Sequence, residues 1–210
     1  IKEKWVIYNP TLANQKIDKL GYKRNKSGHY LDHNGKEIFI TIGIVSGWAD
    51  WIRAGQIISK NLNDIGIKSR VKTQDFGAWF NDLQMGEFTA AIGWAESGAT
   101  PYPMYEGLMA SKNVKPKGEV SGTNWHRFGL SEVDDLVARF EKTSDEKEKK
   151  EILIRMQELF IQSAPAIPIF ADPTWGVFST RRFKNFPTEQ NPYAQISPNK
   201  TPENLFILTE

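Results

Sequence analysis

Aromatic rings and a single carboxylate are concentrated in residues 92–109, which read IGWAESGATPYPMYEGLM. Trp94 and Glu96 follow a short apolar run, and Tyr102 and Tyr105 come next, among prolines. A pyranose sugar has an apolar C–H face and a rim of hydroxyl groups, which aromatic faces and hydrogen-bonding side chains can bind together. The segment is therefore typical of carbohydrate binding. Its prolines predict a stiff loop that changes little when ligand binds.

The same residue types recur near other predicted strand ends and in a long loop. The candidate ligand-binding residues are Trp48, Trp51, Trp94, Glu96, Ser97, Tyr102, Tyr105, Asn124, Trp125 and His126. Core packing is the alternative interpretation for each ring. Trp79 and Trp175 are the tryptophans least expected to contact ligand, because the first lies on an amphipathic pattern and the second in a short strand pattern.

Sequence motifs for catalysis are absent. The chain contains no GxSxG, GxGxxG, GxxxxGK[ST] or HExxH. Asp50 and Glu96 could be imagined as a glycosidase pair, but a chain with 25 acidic residues offers many such pairs. His29 and His33 lie in a polar, Gly-rich stretch with no helix to aim both at one metal. We therefore expect a binding protein without a metal or cofactor, not an enzyme.

Composition excludes further classes of function. The chain has no cysteine, so disulfides and thiolate metal sites are impossible. Its 27 basic and 25 acidic residues leave a formal charge of +2, which is too weak for a surface that tracks nucleic-acid phosphates. No stretch approaches the roughly 18 consecutive apolar residues of a membrane span. Nucleic acid is therefore not an expected partner.

The elements that must position the candidate residues alternate between strands and helices. Residues 37–45, EIFITIGIV, are β-branched and continuously apolar, as in a strand covered on both faces. Residues 47–66 have apolar side chains at helical spacing and end at Gly66. A second strand pattern, IKSRVKTQ, follows. Together they predict a βαβ unit with parallel strands.

A short amphipathic helix, FGAWFNDLQMG, and a third strand, TAAIGW, complete the predicted α/β domain. Open α/β sheets bind their ligands at the carboxyl ends of the strands. Trp48 and Trp94 both come just after such ends.

The flanking segments carry weaker signals. Asn9, Pro10 and Gly21 predict the start and end of an N-terminal helix, and Asn34-Gly35 predicts a hairpin-like turn. Residues 112–130 lack hydrophobic periodicity, and long loops of this kind are usually functional or mobile.

The C-terminal half begins with two predicted helices, which start at Ser131 and near Thr143. The runs PAIPIF and TWGVFS predict two short strands. The Pro-rich chain after Phe183 is expected to be irregular until a last strand in ENLFILTE.

Four segments, in order, resemble motifs of the family 5 extracellular solute-binding proteins of ABC importers. This family includes dipeptide, oligopeptide, nickel and oligosaccharide binders. The segments are YNPTLANQKIDKLGYK, KNLNDIGIKSRVKTQDFGAWFNDLQMGEFTAAIGWAES, NWHRFGLSEVDDLV and SAPAIPIF. They resemble in turn the family's Y-[DN]-P-x-x-A helix start, its I-G-I to G-W stretch, its [ND]-x-[EK]-[VF]-D-x-L helix and its A-P-x-[IV]-P run. The resemblance extends from Tyr8 to Lys184.

The resemblance implies an α/β fold of the periplasmic-binding-protein type, with a mixed sheet flanked by helices. Residues 1–184 would form the C-terminal ligand-binding lobe, and residues 185–210 an irregular tail that returns toward an N-terminal lobe. Ligand would bind between the two lobes, which close by a hinge motion. The implied partners are that lobe and the membrane subunits of the transporter. The implied location is periplasmic or extracellular, with membrane tethering as one option and a signal peptide upstream of Ile1.

One departure from the family pattern bears on the ligand. Peptide binders of the family have an aspartate three residues after the Trp of G-W, where it pairs with the peptide's amino terminus. This chain has Ser97 there and Glu96 one position earlier. A buried ammonium without a carboxylate is costly, so we expect a short oligosaccharide, with an oligopeptide as the alternative. Asn25, Lys26 and Ser27 stand where acids are common in the family, so no calcium is expected there.

Overall fold

The computed structural model describes residues 7–98, 100–171, 177–193 and 208–209. The chain divides into two compact units, Ile1–Ala166 and Ile167–Glu210. The boundary of the lobe at residue 184, which the resemblance implies, stays a prediction. Trp175 lies outside the described residues.

A three-stranded parallel sheet organises the first unit. The strands are β1 (Phe39–Val45), β2 (Lys68–Gln74) and β3 (Ala90–Ala91), in the order β2-β1-β3. Helix α2 (Ala49–Asp64) joins β1 to β2, which confirms the predicted βαβ unit. Strand β3 is shorter than predicted, although the Ile92 amide still donates to the Gly43 carbonyl at 3.1 Å.

Helices α2 and α3 (Phe76–Met85) pack with the sheet around the first core. Its buried residues are Ile42, Ile44, Val45, Trp51, Trp79, Leu83, Ile92 and Trp125. Helix α3 begins where Asp75 accepts from the Ala78 amide at 3.0 Å, and it ends at Gly86, which has φ 71°. A left-handed residue stops a helix and redirects the chain. Here it turns the chain toward β3.

Three further helices form a second core in the same unit. These are α4 (Tyr102–Met109), α5 (Ser131–Lys142) and α6 (Glu146–Ser163). The predictions for α5 and α6 are confirmed, but the predicted loop at the prolines is wrong. Pro101 and Pro103 begin α4, because proline in a first helical turn has a suitable φ and sacrifices no intrahelical bond.

Helix α1 (Pro10–Lys19) and the polar segment after it lie at the start of the described chain. Asn9 caps the helix by accepting from the Leu12 amide at 2.8 Å, as predicted. The turn at Asn34-Gly35 is confirmed by an antiparallel bridge between Leu31 and Glu37.

No side chain of α1 is buried, so its attachment depends on a neighbouring residue. Tyr30 is fully buried, and its hydroxyl donates to Asp18 Oδ1 at 2.8 Å. The Arg24 guanidinium lies 4.0 Å from the Tyr30 ring centroid and donates to Asn14 Oδ1 at 2.9 Å. These polar contacts hold α1 to the segment that follows it.

In the second unit, strand β4 (Phe183–Lys184) pairs antiparallel with β5 (Leu208–Thr209). The predicted last strand is therefore confirmed at Leu208–Thr209. The strand prediction for residues 165–170 is wrong. Two prolines in that run lack a backbone N–H group. A strand needs these donors to complete its ladder of hydrogen bonds. Residues 177–179 of TWGVFS are not in a strand either.

We predict that Tyr30→Phe lowers the free energy of unfolding by about 1 kcal/mol, because it removes one hydrogen bond to Asp18. Amide exchange in α1 should accelerate selectively. Urea unfolding and hydrogen-exchange mass spectrometry measure the two effects. Tyr22→Phe is the control, since the Tyr22 hydroxyl donates to no described residue. Equal effects of the two substitutions would contradict this role of Tyr30.

Candidate functional site

Three aromatic side chains lie at the carboxyl edge of the parallel sheet, one just beyond each strand. Trp48 follows β1, Phe76 follows β2 and Trp94 follows β3. Because the strands are parallel and adjacent, their ends share one edge. The Phe76 ring centroid is 6.1 Å from that of Trp48 and 6.5 Å from that of Trp94. We call these three residues the aromatic edge.

Two rings of the aromatic edge face solvent. Trp94 is 41% exposed and Phe76 is 48% exposed, and their ring planes lie within 6° of parallel. Phe80 on α3 is also close to parallel with both, at centroid distances of 5.6 Å from Phe76 and 5.9 Å from Trp94. The sequence pattern predicts Phe76 only as part of an amphipathic helix face. Its position directly after a strand is the signal that could have identified it as a residue of the aromatic edge.

Trp79 supports the aromatic edge from within the core. It is almost completely buried, and its ring centroid lies 5.3 Å from Trp94, 5.9 Å from Trp51 and 6.4 Å from Trp125. Trp51 and Trp125 are buried as well. The predicted tryptophans are thus brought together in one cluster, but Trp51 and Trp125 are part of its core. Trp48, which is partly buried, packs edge-on against Trp51 at 4.6 Å.

The indole N–H groups of Trp79 and Trp125 have no hydrogen-bond acceptor among the described residues. Each ring makes an edge-to-face contact with another indole, at interplanar angles of 67° for Trp51–Trp79 and 86° for Trp94–Trp125. Aromatic faces accept N–H groups only weakly. Apolar packing, not polar bonding, therefore holds the cluster together.

A small notch opens beside Trp94. It is lined by Trp94, Ala95, Glu96, Gly107, Leu108, Thr123 and Trp125. The space measures about 200 Å³ including its opening to solvent, and its enclosed part has room for about one water-sized group. Glu96 is exposed and forms no hydrogen bond or ion pair with any described residue. Ser97 is exposed next to it. The notch thus combines two indole rings with a free carboxylate.

Arg127 anchors the long loop that supplies Thr123 and Trp125. Its guanidinium donates to the Trp125 carbonyl at 2.6 Å, and to the carbonyls of Gln84 and Glu119 at 2.9 Å each. It also lies so close to Gly86 that a Cβ there would come within 2.6 Å of Arg127. The loop is therefore tied to the end of α3. The sequence does not reveal this role of Arg127, because nothing local distinguishes it from other loop arginines.

Glycine in the third strand region allows Trp125 to approach the sheet. A Cβ at Gly93 would lie 3.0 Å from Trp125 Cζ3, which is tighter than ordinary contact. Glycine at this position therefore lets the Trp125 indole pack here without the shift that a Cβ would impose.

Two candidate residues use their side chains to stabilise the fold around the notch. Asn124 is completely buried, where its amide donates to the Phe128 carbonyl at 2.6 Å and accepts from the Phe128 amide at 2.9 Å. Tyr105 is buried in the second core, where its ring packs 5.7 Å from Phe160. Neither residue lines the notch.

Tyr102 also packs away from the notch. Its ring stacks on Phe140 at a centroid distance of 4.1 Å, and its hydroxyl donates to Glu141 Oε1 at 3.1 Å. Burial and this hydrogen bond raise the pKa of Tyr102 to about 12. The tyrosines thus stabilise α4 against α5 and α6 and are not flat platforms at the sheet edge.

His126 bonds to the helix that forms one wall of the notch. Its Nε2 lies 2.9 Å from the Leu108 carbonyl oxygen, which can only accept, so Nε2 carries the proton. Burial lowers the pKa of His126. The neutral imidazole is therefore the form that the fold stabilises.

Across the described ranges, no group of three or more His, Cys, Asp or Glu side chains could hold a metal ion. No helix in the same ranges is long and apolar enough to cross a bilayer.

The family model of bacterial extracellular solute-binding proteins, family 5 Middle, matches residues 1–116. The match covers more than half of the 210 residues. The chain belongs to the family 5 extracellular solute-binding proteins. This is a family of binding proteins that serve ABC transporters. The predicted family is therefore confirmed. The α/β fold is confirmed as well, since solved relatives of this family share it.

Solved family 5 structures with different ligands resemble this chain. A mannohexaose-bound periplasmic oligopeptide-binding protein from Thermotoga maritima has a TM-score of 0.77 and 30% identity, and the alignment covers 89% of this chain and 35% of that one. AppA from Bacillus subtilis, in complex with a nonapeptide, has a TM-score of 0.64 and 22% identity, and covers 75% of this chain and 30% of its own. The second likeness shows the fold alone.

Among curated relatives, the oligopeptide-binding protein OppA of Mycobacterium tuberculosis is 24% identical over 170 residues. These residues are 80% of this chain and 27% of OppA. The chain thus spans well under half the length of the family 5 relatives that it matches.

We predict that His126 makes folding stability fall at acid pH. Its folded-state pKa lies below the unfolded value of about 6.5, so the unfolded chain binds a proton more readily. The neutral side chain's contribution is therefore complete above about pH 6.5 and is lost as the pH falls below it. Urea unfolding at pH values between about 7.5 and 5.5 should show a shallower loss for His126→Gln than for the native chain.

His33→Gln is the control for that titration, because His33 is exposed. It should keep the native dependence on pH. If His126→Gln also kept the native slope, burial of a neutral His126 would not contribute to stability.

Proposed function

We propose that this chain forms one lobe of the substrate-binding component of an ABC importer, and that this component binds a short oligosaccharide between its two lobes. One observation carries the proposal. The exposed and nearly parallel rings of Phe76 and Trp94 lie at the carboxyl edge of the sheet, close to the unpaired carboxylate of Glu96.

The exposed rings suit the apolar face of a pyranose. Trp79 and Phe80 pack against Trp94, so its ring cannot collapse inward when the site is empty. A preorganised face loses little conformational freedom on binding. Each sugar ring that covers it removes apolar area from water, which contributes about 25 cal/mol per Å².

The carboxylate of Glu96 suits the polar rim of the same sugar. An ionised carboxylate only accepts hydrogen bonds, and bonds to a charged group are stronger than neutral ones. Sugar hydroxyls can donate to it directly. The mannohexaose-bound relative from Thermotoga maritima supports an oligosaccharide as the class of ligand.

An oligopeptide is the second candidate ligand, and the unpaired carboxylate of Glu96 favours it as well. A free carboxylate at the notch could pair with a peptide ammonium group. The relatives named as oligopeptide-binding proteins support this alternative. The two ligands differ in charge at this position, so binding experiments can separate them.

The remaining parts of the proposal concern the whole protein. We propose an N-terminal lobe that covers the aromatic edge when ligand binds and transporter membrane subunits that receive the closed complex. The family consists of extracellular proteins, which supports a periplasmic or extracellular location. An isolated lobe should bind weakly, because half of the ligand contacts would be absent.

We predict that Trp94→Ala weakens binding of mannohexaose to the two-lobed protein by about tenfold or more. Burial of an aromatic side chain contributes about 1.5–3 kcal/mol, and 1.4 kcal/mol corresponds to tenfold. Isothermal titration calorimetry measures the change. Phe39→Ala is the matched control, because Phe39 is 45% exposed but lies at the opposite end of β1.

Equal losses for the two variants would contradict the placement of the ligand at the aromatic edge. Saturable binding of a pentapeptide, with no binding of mannohexaose, cellohexaose or xylohexaose, would reject the oligosaccharide in favour of the peptide.

A further inference from the structure

Gly107 on helix α4 lines the notch, next to Leu108. A Cβ at this position would lie 3.5 Å from Glu96 Cγ and 3.7 Å from Thr123 Cβ, and both of these residues line the notch. Both distances are ordinary van der Waals contacts, so the fold has space for a methyl group here. Glycine in a helix interior costs about 1 kcal/mol relative to alanine. The helix therefore retains a less stable residue where a larger one would fit.

We propose that Gly107 is a specificity-determining residue, whose lack of a side chain keeps the notch open for one hydroxyl group of the ligand. This inference rests on the proposed function and names the ligand group that the notch binds. The enclosed space suits about one water-sized group, so it admits a hydroxyl but not a whole sugar ring.

The walls of the notch supply partners for such a hydroxyl. The Glu96 carboxylate can accept its proton, and the Thr123 hydroxyl can donate to its oxygen. Neither side chain hydrogen bonds to another described residue. The rings of Trp94 and Trp125 also line the notch, and their centroids are 5.3 Å apart at nearly a right angle. A ring stacked on Trp94 could thus place one substituent into the notch.

Gly107→Ala in the two-lobed protein tests the proposal. The methyl group would occupy the space of the hydroxyl and leave Glu96 without its donor. We expect the affinity for the oligosaccharide to fall by about tenfold or more, while the Tm stays equal or rises. The probes are mannohexaose, cellohexaose, xylohexaose and one pentapeptide, each titrated by calorimetry.

Two further variants sharpen the test. Gly77→Ala is a matched control, since Gly77 lies in α3 and its Cβ would meet only the Asp75 carboxylate, at 3.4 Å. It should leave the affinity unchanged. Glu96→Gln by itself should weaken binding. Combined with Gly107→Ala it should cause little further loss of affinity, because both changes remove the same hydroxyl contact. A purely structural role for Gly107 predicts additive losses.

The outcomes separate the two proposals. If the native protein binds an oligosaccharide and Gly107→Ala binds it equally well, the notch assignment fails and the proposed function stands. A loss of affinity accompanied by a lower Tm, or additive losses with Glu96→Gln, also overturns the assignment. Binding of the pentapeptide alone overturns the hydroxyl and the oligosaccharide together. If no probe binds, the proposed function fails and the notch assignment fails with it.

Discussion

The packing of Trp79 against its aromatic neighbours is the contact on which the rest of the site depends. Trp79 is buried beneath the ends of the parallel strands, and it touches the side chains that follow all three of them: Trp48, Phe76 and Trp94. Its indole N–H has no acceptor among the described residues, so the contact gains its free energy from area and close packing. A smaller residue at this position would leave a cavity under every exposed ring at once.

The parallel sheet explains why residues that are far apart in sequence share this support. Strand order β2-β1-β3 places three carboxyl ends side by side, and one aromatic residue follows shortly after each of these ends. Arg127 holds Trp125 beside these aromatic residues by hydrogen bonds to backbone carbonyls. Gly93 leaves space for the Trp125 ring because it has no Cβ. The exposed rings therefore belong to a rigid scaffold, which is how binding surfaces keep the entropic cost of association low.

The alternation of strands and helices could be predicted from the sequence, because hydrophobic period and glycine stops act locally. That alternation was enough to place Trp48 and Trp94 at one edge. The role of Phe76 was missed because its helical pattern dominated its position after β2. Tyr102 and Tyr105 were assigned to a stiff loop, since Pro101 and Pro103 were interpreted as loop residues and not as a first helical turn. The placement of Asn124, Arg127 and Gly107 depends on contacts between distant segments, which no local pattern reports.

The central claim is that the aromatic edge, supported by Trp79, is the surface that meets the ligand. A crystal structure of the two-lobed protein grown with mannohexaose tests it most directly. The account predicts a pyranose ring packed against the exposed rings of Trp94 and Phe76, with one hydroxyl directed at Glu96. An ordered sugar bound elsewhere, with Trp94 and Phe76 left facing solvent, would contradict it.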